Sequence, residues 1–242
     1  MGSFPLEVRF LSCAQSFFNI VSKQIFIIGS GFSSLSAACY LSKKGYNVSV
    51  FEKNKNFGGR ARQFESDGFT FDMGPSWYWM PDVFERFFND FGKKVSDLYE
   101  LKKLNPAYRV VFDKNSQFEI EDNINSIVKL FEKHEKGSGK KLESFMKEAK
   151  DNYDLAVTNM LYKMPGLSPL ELVNSKTIAK ANLFLTNIKK QIEKRFKNHK
   201  LRSILQFPVL FLGAKPSNTP AFYNFMNYAD FGLGTWQPKN GF

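Results

Sequence analysis

Residues 24–60 read QIFIIGSGFSSLSAACYLSKKGYNVSVFEKNKNFGGR, and the order of their parts decides the fold. Ile25, Phe26, Ile27 and Ile28 form a continuous apolar run, the pattern of a strand buried on both faces of a parallel sheet. Gly29-Ser30-Gly31-Phe32-Ser33-Ser34 follows at once. The first glycine of such a turn lets the chain reverse tightly, and the second leaves bare backbone for a pyrophosphate to approach. The N–H groups and positive dipole end of the next helix then favour the anion. That helix is expected to close at Lys43-Lys44-Gly45, with cations at its negative end and a residue that tolerates a left-handed cap. Val48, Val50 and Phe51 make a second strand, and Glu52 ends it 21 residues after Gly31. An acid there accepts hydrogen bonds from an adenosine ribose and repels a 2′-phosphate. Ser34 stands where the third glycine of the usual pattern falls, and is small enough for close helix–sheet packing. The order of these parts points to a dinucleotide, without separating a nicotinamide from a flavin.

The following residues make that separation. The stretch EKNKNFGGRARQFESDGFTFDMGPSWYWMPDVFERFF (52–88) and the later FPVLFLGAKPSNTPAFYNFMNYADFGLGTW (207–236) resemble the carotenoid desaturases of the bacterial phytoene desaturase type, within the flavin amine oxidase-like superfamily. Two separated matches in the right order extend the resemblance over nearly everything from Lys23 onward. It implies an α/β fold: an FAD-binding, Rossmann-like βαβ domain with part of a mixed α+β substrate domain. The turn Gly29–Ser34, with Glu52 and Lys53, would hold the adenosine and pyrophosphate of FAD. Gly58 and Gly59 would leave room for the ligand, and Arg60 would offer a fork of donors to phosphate oxygens. Gly74 and Pro75 lie in a loop that, by the same resemblance, passes close to the flavin, although a plain structural turn reads equally well.

The implied reaction is desaturation of a C40 carotenoid precursor of phytoene type. Such a substrate has no carbonyl, amine or hydroxyl to grip, so the protein's task is to hold one saturated C–C bond against the flavin ring. Hydride would pass to flavin while a proton leaves the neighbouring carbon, and an outside acceptor such as quinone or oxygen would reoxidise the cofactor. No residue's spacing marks it as the proton acceptor, so the catalytic residues stay unnamed. A related carotenoid isomerase, oxygenase or later-step desaturase would carry the same motifs. Members of the family are much longer, with a further glycine-rich return to the cofactor domain. The chain is therefore expected to be the N-terminal half of a desaturase, binding FAD weakly or not at all by itself and without turnover. A non-catalytic fragment with a partial dinucleotide fold is the alternative from another class.

Composition sets bounds on these readings. At 242 residues, with 43% hydrophobic and 24% charged content, the chain has the make-up of an ordinary globular protein. Cys13 and Cys39 give no disulfide framework, and Cys39 is expected to be a buried thiol in the first helix. His134 and His199 sit among lysines with no second ligand at metal spacing, so no metal site is expected. The 27 phenylalanines suit a polyene lining and biased coding equally.

Three segments are expected: a non-family extension over 1–22, an FAD-binding part over 23–105, and a substrate and membrane-facing part over 106–242. Residues 1–22 read as a mis-assigned start or a disordered extension, with a membrane-touching segment as the lesser reading. Phe64 and Phe69-Thr70-Phe71 flank Asp67-Gly68, a hairpin turn. Asp82 is expected to cap a helix whose Val83, Phe84, Phe87, Phe88 and Phe91 form an apolar stripe. Tyr108–Phe112 and Phe118–Ile120 read as strands, followed by a helix from Phe145 to a break at Pro165-Gly166. Ile178, Ala181, Leu185, Ile188, Ile192 and Phe196 predict one further helix.

Between Lys129 and Arg202 stand 17 Lys and Arg against 8 Asp and Glu, so most of the net charge of +11 is there. A basic amphipathic helix of this kind suits the surface of an anionic membrane, and a solvated helix face reads as well. No base-stacking or groove-reading motif accompanies the charge, so nucleic acid is not expected. No run of apolar residues is long enough to span a bilayer. The expected place is the cytoplasm, at the inner surface of the cytoplasmic membrane.

Overall fold

The computed structural model describes residues 6–10, 23–163, 168, 171 and 173–242. Cys13, most of the N-terminal extension and the expected break at Pro165-Gly166 lie outside them. The described residues divide into two compact units, one within Met1–Ser76 joined by Asn240–Phe242, the other within Trp77–Lys239.

In the first unit, β1 (Leu6–Phe10), β2 (Gln24–Ile28) and β3 (Asn47–Glu52) form a sheet in the order β1-β3-β2. β2 and β3 are parallel, with Ile25 opposite Val48 and Ile27 opposite Val50. A parallel pair needs a crossover, and α1 (Phe32–Lys43) supplies it. Ala38, Val48 and Val50 are buried between helix and sheet, with Ile25, Ile27, Leu41 and Tyr46 packed on them. The helix ends as its sequence demands: Gly45 has φ +88°, and the Tyr46 N–H donates to the Leu41 carbonyl at 3.2 Å.

Three expectations fail here. β2 is not buried on both faces, since Phe26 is 64% and Ile28 90% exposed. The helix covers one face, and β2 is the edge of the sheet among the described residues. Residues 6–10 are not disordered: they pair antiparallel with β3, Val8 facing Val50. Cys39 is half-buried rather than buried, because Ala38 takes the inward position.

The hairpin of β4 (Arg62–Ser66) and β5 (Phe69–Met73) turns at Asp67 (φ +52°) and Gly68 (φ +80°). Two positive φ values in succession give the twist a two-residue hairpin needs. Phe64 stacks on Phe71 across it at 4.9 Å. Asn240–Phe242 return to this hairpin, the Phe242 N–H donating to Asp72 Oδ1 at 2.9 Å.

The second unit opens with α2 (Pro81–Asn89). Asp82 does not cap it: Pro81 takes the first helical position after Met80, and the Asp82 carboxylate accepts the Tyr153 hydroxyl at 2.9 Å instead. β6 (Leu101–Lys103), the antiparallel pair β7 (Tyr108–Asp113) and β8 (Ser116–Ile120), α3 (Ile124–His134) and α4 (Ser138–Tyr153) follow. α4 runs on through a π-helical stretch, Asp154–Met160, into α5 (Leu161–Lys163). Short helices complete the unit: α6 (Ser175–Ile178), α7 (Ala181–Leu185), α8 (Ile188–Arg195), α9 (His199–Gln206) and α10 (Phe225–Asn227), then β9 (Trp236–Pro238). β9 pairs antiparallel with β6, and Tyr78 exchanges backbone bonds with Trp236. These pairings hold residues 77–104 in the second unit, so the division falls after Ser76 and not near Asn105.

The single helix expected over 178–196 is three. Asn187 caps α8 by accepting the Lys190 N–H at 2.9 Å, while Ile188 and Ala221 bond across to Thr219 and Thr186. Ile188, Ile192 and Phe196 are fully buried with Phe131, Phe145 and Leu201, whereas Ile178 is 62% and Leu185 88% exposed. A partly buried polar chain ties these helices: Lys180 Nζ donates to Asn152, Asn152 to Asn224, and Asn224 and Arg195 to Glu148. Among the described residues no helix is long and apolar enough to cross a membrane.

Phe131→Ala empties the centre of this core and is expected to destabilise the fold by about 3–5 kcal/mol. Leu185→Ala, at an exposed site, is expected to change stability by less than about 0.5 kcal/mol. Urea unfolding of the two variants measures the difference.

Candidate functional site

The first glycine turn leaves β2 at Gly29, whose φ of +94° only glycine adopts freely, and whose N–H donates to the Phe51 carbonyl at 2.7 Å. Gly31 then caps α1 with φ −71° and ψ 171°, values open to any residue. Among the described residues, a Cβ placed on Gly31 would meet nothing within 4 Å beyond its own chain neighbours. Neither backbone strain nor packing therefore asks for glycine at this position. What the missing side chain preserves is open space over the start of the helix, which fits close approach of an anionic ligand.

The second glycine pair is laid against the first. The Gly58 N–H donates to the Ser30 carbonyl at 3.0 Å, and Gly31 and Gly58 form a parallel bridge. A Cβ on Gly58 (φ +98°) would fall 2.1 Å from the Ala61 carbonyl oxygen, and one on Gly59 (φ +63°) 3.2 Å from the Gly31 Cα. Gly74 (φ +121°) approaches the Arg60 carbonyl in the same way, at 3.0 Å for its Cβ. Pro75 and Ser34 are half-buried, while Phe32, Ser33, Lys53 and Arg60 face solvent.

Glu52 is 5% exposed and Ser30 1%. Glu52 Oε2 accepts the Ser30 hydroxyl at 2.7 Å and the Ser30 N–H at 2.9 Å. Its Oε1 accepts the Asn54 N–H at 2.8 Å and the Asn54 side-chain amide at 2.7 Å. The Ser30 hydroxyl first, then the Asn54 and Ser30 backbone donors, pull the carboxyl down to about 2.

A second constellation lies in the second unit, and sequence reasoning did not find it. Trp77 stacks on Tyr108 at 5.0 Å, and Phe207 and Phe211 close around it at 5.8 and 5.6 Å. Trp77, Tyr108 and Phe207, with Val110, Ile204 and Leu210, line a pocket of about 500 Å³. The Tyr108 hydroxyl donates to Asp230 Oδ2 at 2.5 Å, while Asp230 Oδ1 has no hydrogen-bond partner. Asp230 is 2% exposed. Burial pushes its carboxyl up to about 7 against the lowering effect of the Tyr108 bond, and Tyr108 itself is raised well above the ordinary phenol range. The partners are 122 positions apart, so no local spacing could have joined them.

Residues 27–91 match the family model of an NAD(P)-binding Rossmann-like domain. The chain is 39% identical over 225 residues to the carotenoid 3,4-desaturase of Haloarcula japonica, covering 92% of this chain and 46% of that one. It is 32% identical over 220 residues to the 4,4′-diapophytoene desaturase of Staphylococcus aureus, covering 90% and 44%. The chain is similar to the N-terminal portion of the carotenoid desaturases. It spans about half the length of these curated relatives. A putrescine oxidase structure with bound putrescine shares the fold, with a TM-score of 0.56 at 15% identity over 91% of this chain and 47% of that one.

In this carotenoid desaturase-like chain the sequence-predicted residues Gly29, Ser30, Gly31, Glu52, Gly58 and Gly59 form one connected cluster. Gly74 packs on Arg60, but Lys53 and the Arg60 side chain stay at the surface. The two glycine turns differ in what they tolerate. Gly58→Ala, clashing and strained, is expected to lower stability by about 1–3 kcal/mol, and Gly31→Ala, a change of helix cap without a clash, by less than about 1 kcal/mol.

Asp230 carries a sign that melting curves can read. Its folded carboxyl titrates above its unfolded value, so its contribution is full below the ordinary carboxylate range and is lost as pH rises through about 7. Asp230→Asn is expected to flatten this loss between pH 4 and about 7 in thermal melts taken across that window.

Proposed function

We propose that the chain forms the dinucleotide-holding part of an FAD-dependent carotenoid desaturase acting on an apolar polyene in carotenoid biosynthesis. The observation that carries this reading is Gly31, a glycine that nothing in its own chain requires, beside a carboxylate held by four donors. In this reading the backbone from Gly29 to Ser34 receives the pyrophosphate at the start of α1, and Glu52 receives the adenosine ribose. Gly58 and Gly59 keep the second wall low, and the exposed guanidinium of Arg60, with Lys53, Gly74 and Pro75, completes the surroundings. Bound FAD supplies a hydride acceptor for a saturated C–C bond, and an external acceptor such as quinone or oxygen renews it.

In this reading the polyene comes from lipid, and the protein would work at the cytoplasmic face of a membrane. The exposed Val173, Ile178 and Leu185 stand close in sequence to Lys176 and Lys180, an apolar and basic combination suited to an anionic surface. Because the cations fall on several short helices and not one long one, the contact would be a patch rather than a helix lying flat.

A phytoene-type C40 precursor is the first candidate substrate. The 39% identity to a carotenoid 3,4-desaturase favours a second reading, a later-step desaturase acting on an already conjugated polyene.

Gly31→Ala is expected to weaken FAD and ADP binding by about tenfold while costing no more than about 1 kcal/mol of stability as an N-cap change, as read by equilibrium dialysis and thermal melts. Equal binding by the two proteins would overturn the dinucleotide reading. Pigment analysis after expression in cells that make phytoene, and in cells that make a conjugated carotenoid, separates the two substrates.

A further inference from the structure

The Glu52 carboxylate offers about four acceptor positions, and all four are taken from within the chain. Two of the donors are backbone N–H groups, of Ser30 and Asn54, and are fixed by the turn and by the end of β3. The other two, the Ser30 hydroxyl and the Asn54 amide, are on side chains that can rotate away. They sit one on each carboxylate oxygen, as the two hydroxyls of a ribose diol would. With Glu52 only 5% exposed, a ribose reaches the carboxylate only by displacing them.

We propose that Ser30 and Asn54 are specificity-determining residues that occupy Glu52 in place of ribose hydroxyls, so that an adenosine diol binds by exchange against them. The proposal rests on the dinucleotide reading and adds to it. In the free chain the two side chains keep a buried carboxylate satisfied, which an unliganded Glu52 otherwise lacks. On binding, the diol replaces two donors one for one, and the backbone donors remain. The exchange has a consequence for affinity: the hydrogen bonds gained from the ribose are offset by those given up. A ligand without the diol gains nothing at Glu52 and leaves the internal donors in place.

Ser30→Ala and Asn54→Ala each remove one competing donor and leave both backbone donors. Each is expected to tighten ADP by about three- to tenfold, measured by titration calorimetry on the full chain. 2′,3′-Dideoxy-ADP is the control, and its affinity is expected to be the same for wild type and both variants. A loss of folding, checked by thermal melts, would move both ligands together and so differs from the expected split. Unchanged or weakened ADP binding, relative to the dideoxy control, overturns the exchange proposal and leaves the dinucleotide reading standing. Failure of ADP to bind any of the three proteins overturns both.

Discussion

A carboxylate withdrawn from water must be matched donor by donor, and around Glu52 that requirement shapes the first unit. Its two oxygens take donors from the first glycine turn on one side and from the residues after β3 on the other. The Ser30 that holds Oε2 also accepts the Gly58 N–H through its carbonyl, so the second glycine pair is registered against the first by the same residue. One serine thus links acid, turn and second wall. The space over Gly31 keeps its shape because each of its borders is fixed by a hydrogen bond rather than by packing alone.

The second unit solves a related problem with a different result. Its polar chain from Lys180 to Glu148 spans helices that a single amphipathic stripe could not have joined. Asp230 is satisfied on one oxygen only, and burial pushes its carboxyl up to about 7. Its π-helical setting, Tyr228–Gly232, is the kind of local departure from α geometry that clusters at working positions.

Much of the first unit was legible in the sequence, because its determinants are local. Strand, turn, helix and strand follow one another within Gln24–Glu52, and Asp67-Gly68 gives its hairpin with no tertiary help. What local reasoning missed depends on partners far along the chain. The apolar run of β2 suggested burial on both faces, but exposure depends on what lies beside a strand. The stripe from Ile178 to Phe196 kept helical spacing across Thr186-Asn187, where bonds to Thr219 and Ala221 draw the backbone out of the helix. Asp82 had the chemistry of a cap, yet Pro81 took the place in front of it and Tyr153 took its carboxylate. The Tyr108–Asp230 pair and the second role of Ser30 could be read only from coordinates.

The outer edge of β2 has a practical consequence. Among the described residues β2 has no strand on its outer side, which makes its N–H and C=O groups there a template for any other extended segment, and Phe26 and Ile28 make this edge apolar as well. Charged or proline gatekeepers are absent from Gln24–Ile28. In concentrated solution strand addition between molecules would start at this edge, and light scattering that grows with protein concentration would be its first sign. Handling the protein dilute, or with a charge placed at Ile28, addresses solubility at its structural source.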